Sequence, residues 1–197
     1  MKIHVFLQSP NGRKPIFVNA YLGLGAEVHV VDHSVGEHKS PAFLAMNPNG
    51  KIPVLELDDG SAIWESNVVI NRMATDSENT LWPRSNLRYE IMQWQSWEAA
   101  HWQPACSTFI SKYFFGNKGV DLEAAETAFR PLAKVLDEAL EGRDWLVGET
   151  LTNADVSVAA YLAYRGACHY PMDGYDNIAR WLDAIEALPA WKVANPG

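Results

Sequence analysis

The stretch Asn47-Pro48-Asn49-Gly50-Lys51-Ile52-Pro53-Val54 decides the fold predicted for this chain. The Asn-Pro and Asn-Gly steps are typical of turns, and the apolar residues from Ile52 onward are typical of the start of a strand. Proline cannot donate to a β-ladder, so Pro53 either lies at an edge or follows a cis peptide bond that leaves the backbone of Ile52 available to a peptide-like ligand. An ordinary trans proline that ends a loop is the alternative.

The pair Glu65-Ser66 lies a short distance further on, between a strand predicted over 62–64 and a helix predicted over 66–74. A serine hydroxyl and the unpaired N–H groups of a helix start bind a carboxylate well, and a glutamate pairs with an ammonium. An α-amino acid head group carries both of these charges. The alternative is that the pair only caps the helix.

A third junction lies near the beginning of the chain. The strand predicted over 3–7 is followed by Ser9-Pro10-Asn11-Gly12-Arg13-Lys14 and by a helix that extends to about Leu24. The helix start would stabilise an anion such as a thiolate, with Ser9 Oγ or Asn11 Nδ2 as an additional donor. Simple capping of the helix by Ser9 or Asn11 is the alternative.

Taken together, the pattern predicts two domains. Up to residue 78 the order is β-α-β-α-β-β-α, which fits a small mixed sheet covered by helices, and 86–197 contains only helical patterns. Within the second part, Thr152-Asn153-Ala154-Asp155 has the spacing of a capping box, so a helix is expected to begin there.

Composition excludes several classes of protein. The 197 residues include 24 acidic and 16 basic side chains, and the net charge of −8 disfavours a nucleic-acid or anionic-membrane partner. The two cysteines, Cys106 and Cys168, are not in a C-x-x-C or metal-type spacing, so neither a metal site nor a dithiol centre is expected. No apolar run reaches the ~18 residues of a membrane span, and a cytoplasmic location is predicted.

In this order the motifs resemble those of the cytosolic glutathione transferases. The residues 47–54 look like that family's turn into its cis-proline strand, and Glu65-Ser66 matches the pair that receives the γ-glutamyl group of glutathione. The Thr152 to Asp155 box stands where the family's helical domain carries its capping box. The resemblance implies a thioredoxin-like α/β N-terminal domain over 1–78 and an all-α C-terminal domain over 86–197. It also implies glutathione as co-substrate, no metal and a homodimer.

Two classes of the family share features with this chain. His38-Lys39-Ser40-Pro41 is similar to the phi class, which implies that His38, Lys39 and Lys51 contact the glycine end of glutathione. Ser9-Pro10-Asn11-Gly12 resembles the bacterial nu class, in which a threonine and an asparagine lie near the sulfur. Ser9 matches both the phi-class catalytic serine and the nu-class threonine.

The activity implied by this resemblance depends on ionising the glutathione thiol. A thiol with a pKa of about 8.5 is mostly protonated at neutral pH, and a donor such as Ser9 or Asn11 would favour the reactive thiolate. The thiolate would attack a hydrophobic electrophile held by the aromatic helical half, with His101, Trp102 and Tyr113 as candidates, although such a stripe is more often core. Disulfide or peroxide reduction, and a non-enzymatic binding or regulatory role, stay open as alternatives.

Overall fold

The computed structural model describes residues 1–195, which fall into two compact units. The first unit contains Met1–Trp82 together with residues 188–195, and the second contains Pro83–Ala187. This division differs from the predicted range of 86–197, because residues 188–195 belong to the first unit.

The described part of the first unit contains a four-stranded mixed sheet, as predicted. Its strands are β1 (Lys2–Val5), β2 (Glu27–Val30), β3 (Val54–Glu56) and β4 (Ala62–Trp64), in the order β2-β1-β3-β4. β1 is parallel to β2 and antiparallel to β3, and β3 is antiparallel to β4. The thioredoxin-like arrangement follows from this order.

The helices account for most of the remaining chain. They are α1 (Pro10–Leu22), α2 (Pro41–Met46), α3 (Ser66–Met73), α4 (Leu87–Trp97), α5 (Gln103–Tyr113), α6 (Leu122–Ala139), α7 (Asn153–Leu162), α8 (Asp176–Glu186) and α9 (Pro189–Ala194). A 3-10 turn at Glu37–Lys39 precedes α2, and a π-helical turn at Glu98–Trp102 joins α4 to α5. No helix within residues 1–195 combines the length and the hydropathy that a bilayer crossing requires.

The final helix belongs to the first unit because it packs on α1. The rings of Phe17 and Trp191 meet edge to face with their centroids 6.5 Å apart. Arg13 donates from Nη1 to Oδ1 of Asn195 over 2.7 Å. These contacts cover one flank of α1 with residues that follow the whole helical unit in sequence.

The second unit is built around α7, in which every residue is buried. Its first turn is the predicted capping box: Thr152 Oγ1 accepts from the Ala154 N–H, and the Asp155 carboxylate accepts from the Thr152 N–H at 2.8 Å. The same carboxylate also accepts from the N–H of Leu146 at 2.8 Å and from Nε1 of Trp181 at 2.9 Å. Asp155 therefore ties three separate segments to the start of the central helix.

We expect Asp155→Ala to lower the free energy of unfolding by about 3–5 kcal/mol, since several buried donors lose their acceptor at once. The matched control is Asp121→Ala, which removes the exposed cap of α6 and should cost only about 1 kcal/mol. Urea unfolding followed by circular dichroism measures both values. Equal losses in the two variants would contradict this account of Asp155.

Candidate functional site

The three sequence motifs leave the sheet at one end. His4 of β1 pairs with Val54 of β3, and Val54 pairs with Trp64 of β4. Pro53 and Glu65 are the next residues beyond these pairs, so both lie at the end of the sheet where β1 runs on towards α1. The register of the strands thus brings together three motifs that are separate in sequence, at Ser9, Pro53 and Glu65.

The peptide bond between Ile52 and Pro53 is cis, which is one of the predicted alternatives. The ladder of β3 with β1 ends at Val54, so the backbone of Ile52 lies outside it. The Ile52 side chain packs against a buried cluster that contains Val31, Phe43 and Val54. The residues that lead into β3 are therefore packed against the core.

Glu65 has an unusual backbone conformation. Its φ of 71° lies in the region that residues other than glycine rarely adopt, at a typical cost of about 1–3 kcal/mol. The residue is exposed, and its side chain makes no capping hydrogen bond to α3 within the described chain. Backbone strain of this kind is concentrated at ligand sites, whereas a helix cap does not require it.

The Ser66 hydroxyl connects the motif at α3 with the motif at α1. Ser66 is buried, and its Oγ donates to Oδ1 of Asn11 over 3.1 Å. Asn11 lies in the first turn of α1. Two of the predicted groups, one for the sulfur and one for the γ-glutamyl end, are therefore in direct contact.

Ser9 occupies the N-cap position of α1, but its side chain makes no capping hydrogen bond in the described structure. The turn is closed instead by the backbone, since the Ser9 carbonyl accepts from the N–H groups of Gly12 and Arg13. A Cβ atom on Gly12 would lie only 2.6 Å from the carbonyl oxygen of Phe6, which explains the glycine. Capping of α1 therefore gives no role to the Ser9 hydroxyl within the described structure.

Lys14 was missed by the sequence analysis. Its side chain is 1% exposed, and its Nζ donates to Ser66 Oγ at 3.2 Å and to Asn67 Oδ1 at 3.1 Å. The signal was present in the helical period, because Lys14 lies one turn after Asn11 and one turn before the buried Phe17. No role was predicted for Lys14 from the sequence, because its burial depends on the packing of α3 beside α1.

Lys39 and His38 lie beside the turn that precedes the cis-proline. A Cβ atom on Gly50 would lie 2.7 Å from Lys39 Nζ and 2.9 Å from the His38 carbonyl oxygen. Gly50 has a φ of 59°, so the position favours glycine for its backbone as well as for its close neighbours. The structure thus brings the predicted His38-Lys39 pair to the predicted loop.

His38 stacks on His33, with the ring centroids 4.3 Å apart. Its Nδ1 is buried and has no hydrogen-bond partner among the described residues. Desolvation lowers the pKa of His38 below its ordinary value, and the neighbouring charges of His33 and Lys39 act in the same direction. The environment of His38 therefore favours its neutral form.

Lys51 is exposed and takes part in the turn through its backbone. Its carbonyl oxygen accepts from Nδ2 of the buried Asn47 over 2.7 Å. This hydrogen bond fixes the main chain of Lys51. Its side chain lies near the Ile52-Pro53 step because Lys51 is the preceding residue.

The predicted electrophile residues lie in the second unit and do not behave alike. Trp102 is fully buried, donates from Nε1 to the Val158 carbonyl over 3.2 Å and packs against Phe129, so it is a core residue and its prediction as a ligand contact is wrong. His101 is exposed on the π-helical turn. Tyr113 is 41% exposed, with its ring 4.9 Å from that of His169.

The two cysteines are free and buried. Burial raises the pKa of the Cys106 thiol well above its ordinary value, and burial also raises the pKa of Cys168. A thiol with a raised pKa is a poor nucleophile at neutral pH, so neither cysteine is a candidate nucleophile.

Family models match most of the chain. Residues 8–76 match the N-terminal domain of glutathione S-transferase, and residues 97–189 match its C-terminal domain. Glutathione S-transferase 3 of Zea mays is 31% identical over 205 residues, a match that covers 98% of this chain and 91% of the maize protein.

The chain is also similar to an elongation factor. Elongation factor 1-gamma of Carassius auratus is 30% identical over 165 residues, and the match covers 79% of this chain. This chain spans only 36% of the length of that protein, and the same share of the Danio rerio protein.

Solved structures agree with the family models. A glutathione S-transferase from Pseudomonas fluorescens matches with a TM-score of 0.85 and 30% identity, covering 96% of each chain. Ure2p in complex with glutathione matches with a TM-score of 0.88 at 22% identity, covering 100% of this chain and 94% of that one, and this likeness concerns the fold. Models that match both halves and a relative aligned over nearly its full length show that the chain belongs to the glutathione S-transferase family.

Proposed function

We propose that this protein binds glutathione at the shared end of the sheet and activates its thiol as a thiolate for attack on a small hydrophobic electrophile. The observation that carries the proposal is the convergence of three loops: the start of α1, the cis-proline loop and the start of α3. Family membership supports glutathione as the ligand, a homodimeric assembly and a cytoplasmic location.

The γ-glutamyl end of glutathione would lie at the start of α3. The exposed Glu65 carboxylate would pair with the ligand's ammonium, while Ser66 and the N–H groups of the first helical turn would bind its α-carboxylate. The cysteinyl part of glutathione would then run as an added strand beside the backbone of Ile52, because Pro53 is cis and Ile52 lies outside the ladder.

The sulfur would lie at the start of α1. Ser9, whose hydroxyl does not cap the helix, is the primary donor, and Asn11 is the second donor or the replacement for Ser9. A helix N-terminus and one or two donors stabilise a thiolate over a thiol, and a pKa lower by about two units corresponds to roughly 2.7 kcal/mol.

The glycine carboxylate would lie near Lys39 and Lys51, with His38 beside them. Lys39 is supported by its position over Gly50, which holds it against the cis-proline loop. On the electrophile side, His101 and Tyr113 stay as candidates because both are exposed.

Two other activities are kept as alternatives. Asn11 lies at the site, in contact with Ser66, and this favours disulfide or peroxide reduction of the kind expected for a nu-like sequence. The similarity to elongation factor 1-gamma favours a non-enzymatic binding role. Calorimetric titration with glutathione separates binding from none, and assays with an aryl halide, an organic hydroperoxide and a mixed disulfide identify the reaction.

We expect Ser9→Ala to raise the pKa of the bound thiol and to lower turnover by about 10- to 100-fold, the usual effect of losing a hydrogen bond to a charged group. Asn11→Ala should give the same effect if Asn11 is the donor. The thiolate absorbance of bound glutathione, titrated against pH, measures the pKa. Ser61→Ala is the control, since that hydroxyl donates to Asp59 Oδ1 in the exposed hairpin turn, away from the start of α1. If neither Ser9→Ala nor Asn11→Ala changes the thiol pKa, activation at the start of α1 is excluded.

Gly50→Ala should weaken glutathione binding about tenfold, because the new methyl group displaces His38 and Lys39 and costs one charge-assisted hydrogen bond. Gly60→Ala is the matched control: it has a φ of 81° in the same unit, but a Cβ there meets nothing within 4 Å. Calorimetry and thermal melting of both variants separate backbone strain from loss of the site. Equal affinities would show that this turn does not position a ligand contact.

Binding of S-methylglutathione, whose sulfur does not titrate, should become tighter as the pH falls from about 7.5 to about 5.5. The pKa of His38 is lowered in the free protein, and a nearby carboxylate would raise it, so binding takes up a proton. Affinity therefore rises as the pH falls through the pKa of the complex and levels off below the pKa of the free protein. The slope should be smaller for His38→Asn, and an identical slope would place the carboxylate away from His38.

A further inference from the structure

The Nζ of Lys14 is buried between the first turns of α1 and α3. It lies 3.2 Å from Ser66 Oγ and 3.1 Å from Asn67 Oδ1, and the whole side chain is 1% exposed. Removing an ammonium from water carries a large desolvation cost, and a methionine of similar length would fill the same space without that cost. The charge at this position therefore calls for a reason other than packing.

The hydrogen bonds around Ser66 have a direction. Lys14 has only protons to offer, so Ser66 Oγ must accept from it, and the hydroxyl proton is then directed to another acceptor. Within the described residues that acceptor is Asn11 Oδ1, at 3.1 Å. Lys14 thus makes Ser66 a committed hydrogen-bond donor at the start of α3.

We propose that Lys14 is a positioning residue for the γ-glutamyl α-carboxylate of glutathione: by donating to Ser66 Oγ it leaves the one hydroxyl proton for an acceptor, which is Asn11 Oδ1 in the free protein and would be the α-carboxylate when the ligand binds. Lys14 also fixes Asn67 in the first turn of α3 and supplies a positive charge close to both residues. This inference rests on the proposed function. It assigns the selectivity for an α-carboxylate to a residue that lies behind the ligand and acts through Ser66.

The electrostatic part of this role is large enough to measure. A carboxylate that accepts from Ser66 would lie about 6 Å from Lys14 Nζ, and two unit charges at that distance in a partly buried site change an affinity by about 100-fold. The partial positive charge of the α3 N-terminus has the same sign and acts on the same group. Removing the Lys14 charge should therefore keep the part of the affinity that comes from the α3 N-terminus and lose the part that comes from Lys14.

The test compares two ligands in two proteins. One ligand is S-methylglutathione, and the other is its analogue with 4-aminobutanoyl in place of γ-glutamyl, which keeps the ammonium and lacks only the α-carboxylate. We expect Lys14→Met to bind S-methylglutathione about 100-fold more weakly than the unmodified chain, while the analogue binds both proteins equally. Lys2→Met is the control, since Lys2 on β1 forms an ion pair with Glu27 on β2 and its removal should change neither affinity.

Steady-state kinetics give a second readout. Lys14→Met should raise KM for glutathione and leave kcat at saturating glutathione within about twofold, because Lys14 acts on the γ-glutamyl end and not on the sulfur. A structural role alone would lower the melting temperature and weaken both ligands alike. If Lys14→Met does not fold, Lys14→Gln retains a donor for Ser66 without the charge, and the same selective loss is expected.

The outcomes distinguish this inference from the proposed function. If the unmodified chain does not bind S-methylglutathione, both are overturned. If it binds, but the loss in Lys14→Met or Lys14→Gln is equal for the two ligands or absent, only the role of Lys14 is overturned.

Discussion

One buried hydroxyl, that of Ser66, connects the parts of this molecule that the site requires. It accepts from Lys14 and donates to Asn11, and so joins the first turn of α1 to the first turn of α3. Two helix starts with unpaired N–H groups are thereby held side by side. This polar link adds to the direct packing of α1 on α3 and connects specific atoms of the two helix starts.

The sheet supplies the other half of this constraint. Because β3 pairs with both β1 and β4, the residues just beyond Val54 and Trp64 must lie next to each other. The residue that follows β2, Val31, lies at the same end of the sheet, because its N–H donates to the carbonyl of Val5 at the end of β1. A short register of three pairs on each side is therefore enough to gather loops from four parts of the chain.

Much of the fold followed from local sequence signals. Turn residues, capping residues and apolar spacing marked the strands, the helices and the capping box at Thr152. The residues 47–54 left an edge proline, a cis bond and an ordinary trans bond open at Pro53, and the structure has the cis bond. What the sequence did not reveal depends on long-range packing. Whether Trp102 lies in the core or faces a ligand is decided by neighbours such as Phe129, and Lys14 needed the position of α3 before its burial made sense. The return of α9 to α1 likewise leaves no local mark.

That return has a consequence for how the protein is made. The flank of α1 that carries Phe17 and Arg13 stays uncovered until Trp191 and Asn195 have been synthesised. During synthesis the N-terminal half therefore emerges from the ribosome before the residues that complete its packing exist. In most proteins of two domains, the first domain can fold before the second has been synthesised. A gene fragment that stops at Trp82 would lack α9, so the flank of α1 that carries Phe17 would stay exposed. The N-terminal half of the sequence is therefore not the whole of the first unit.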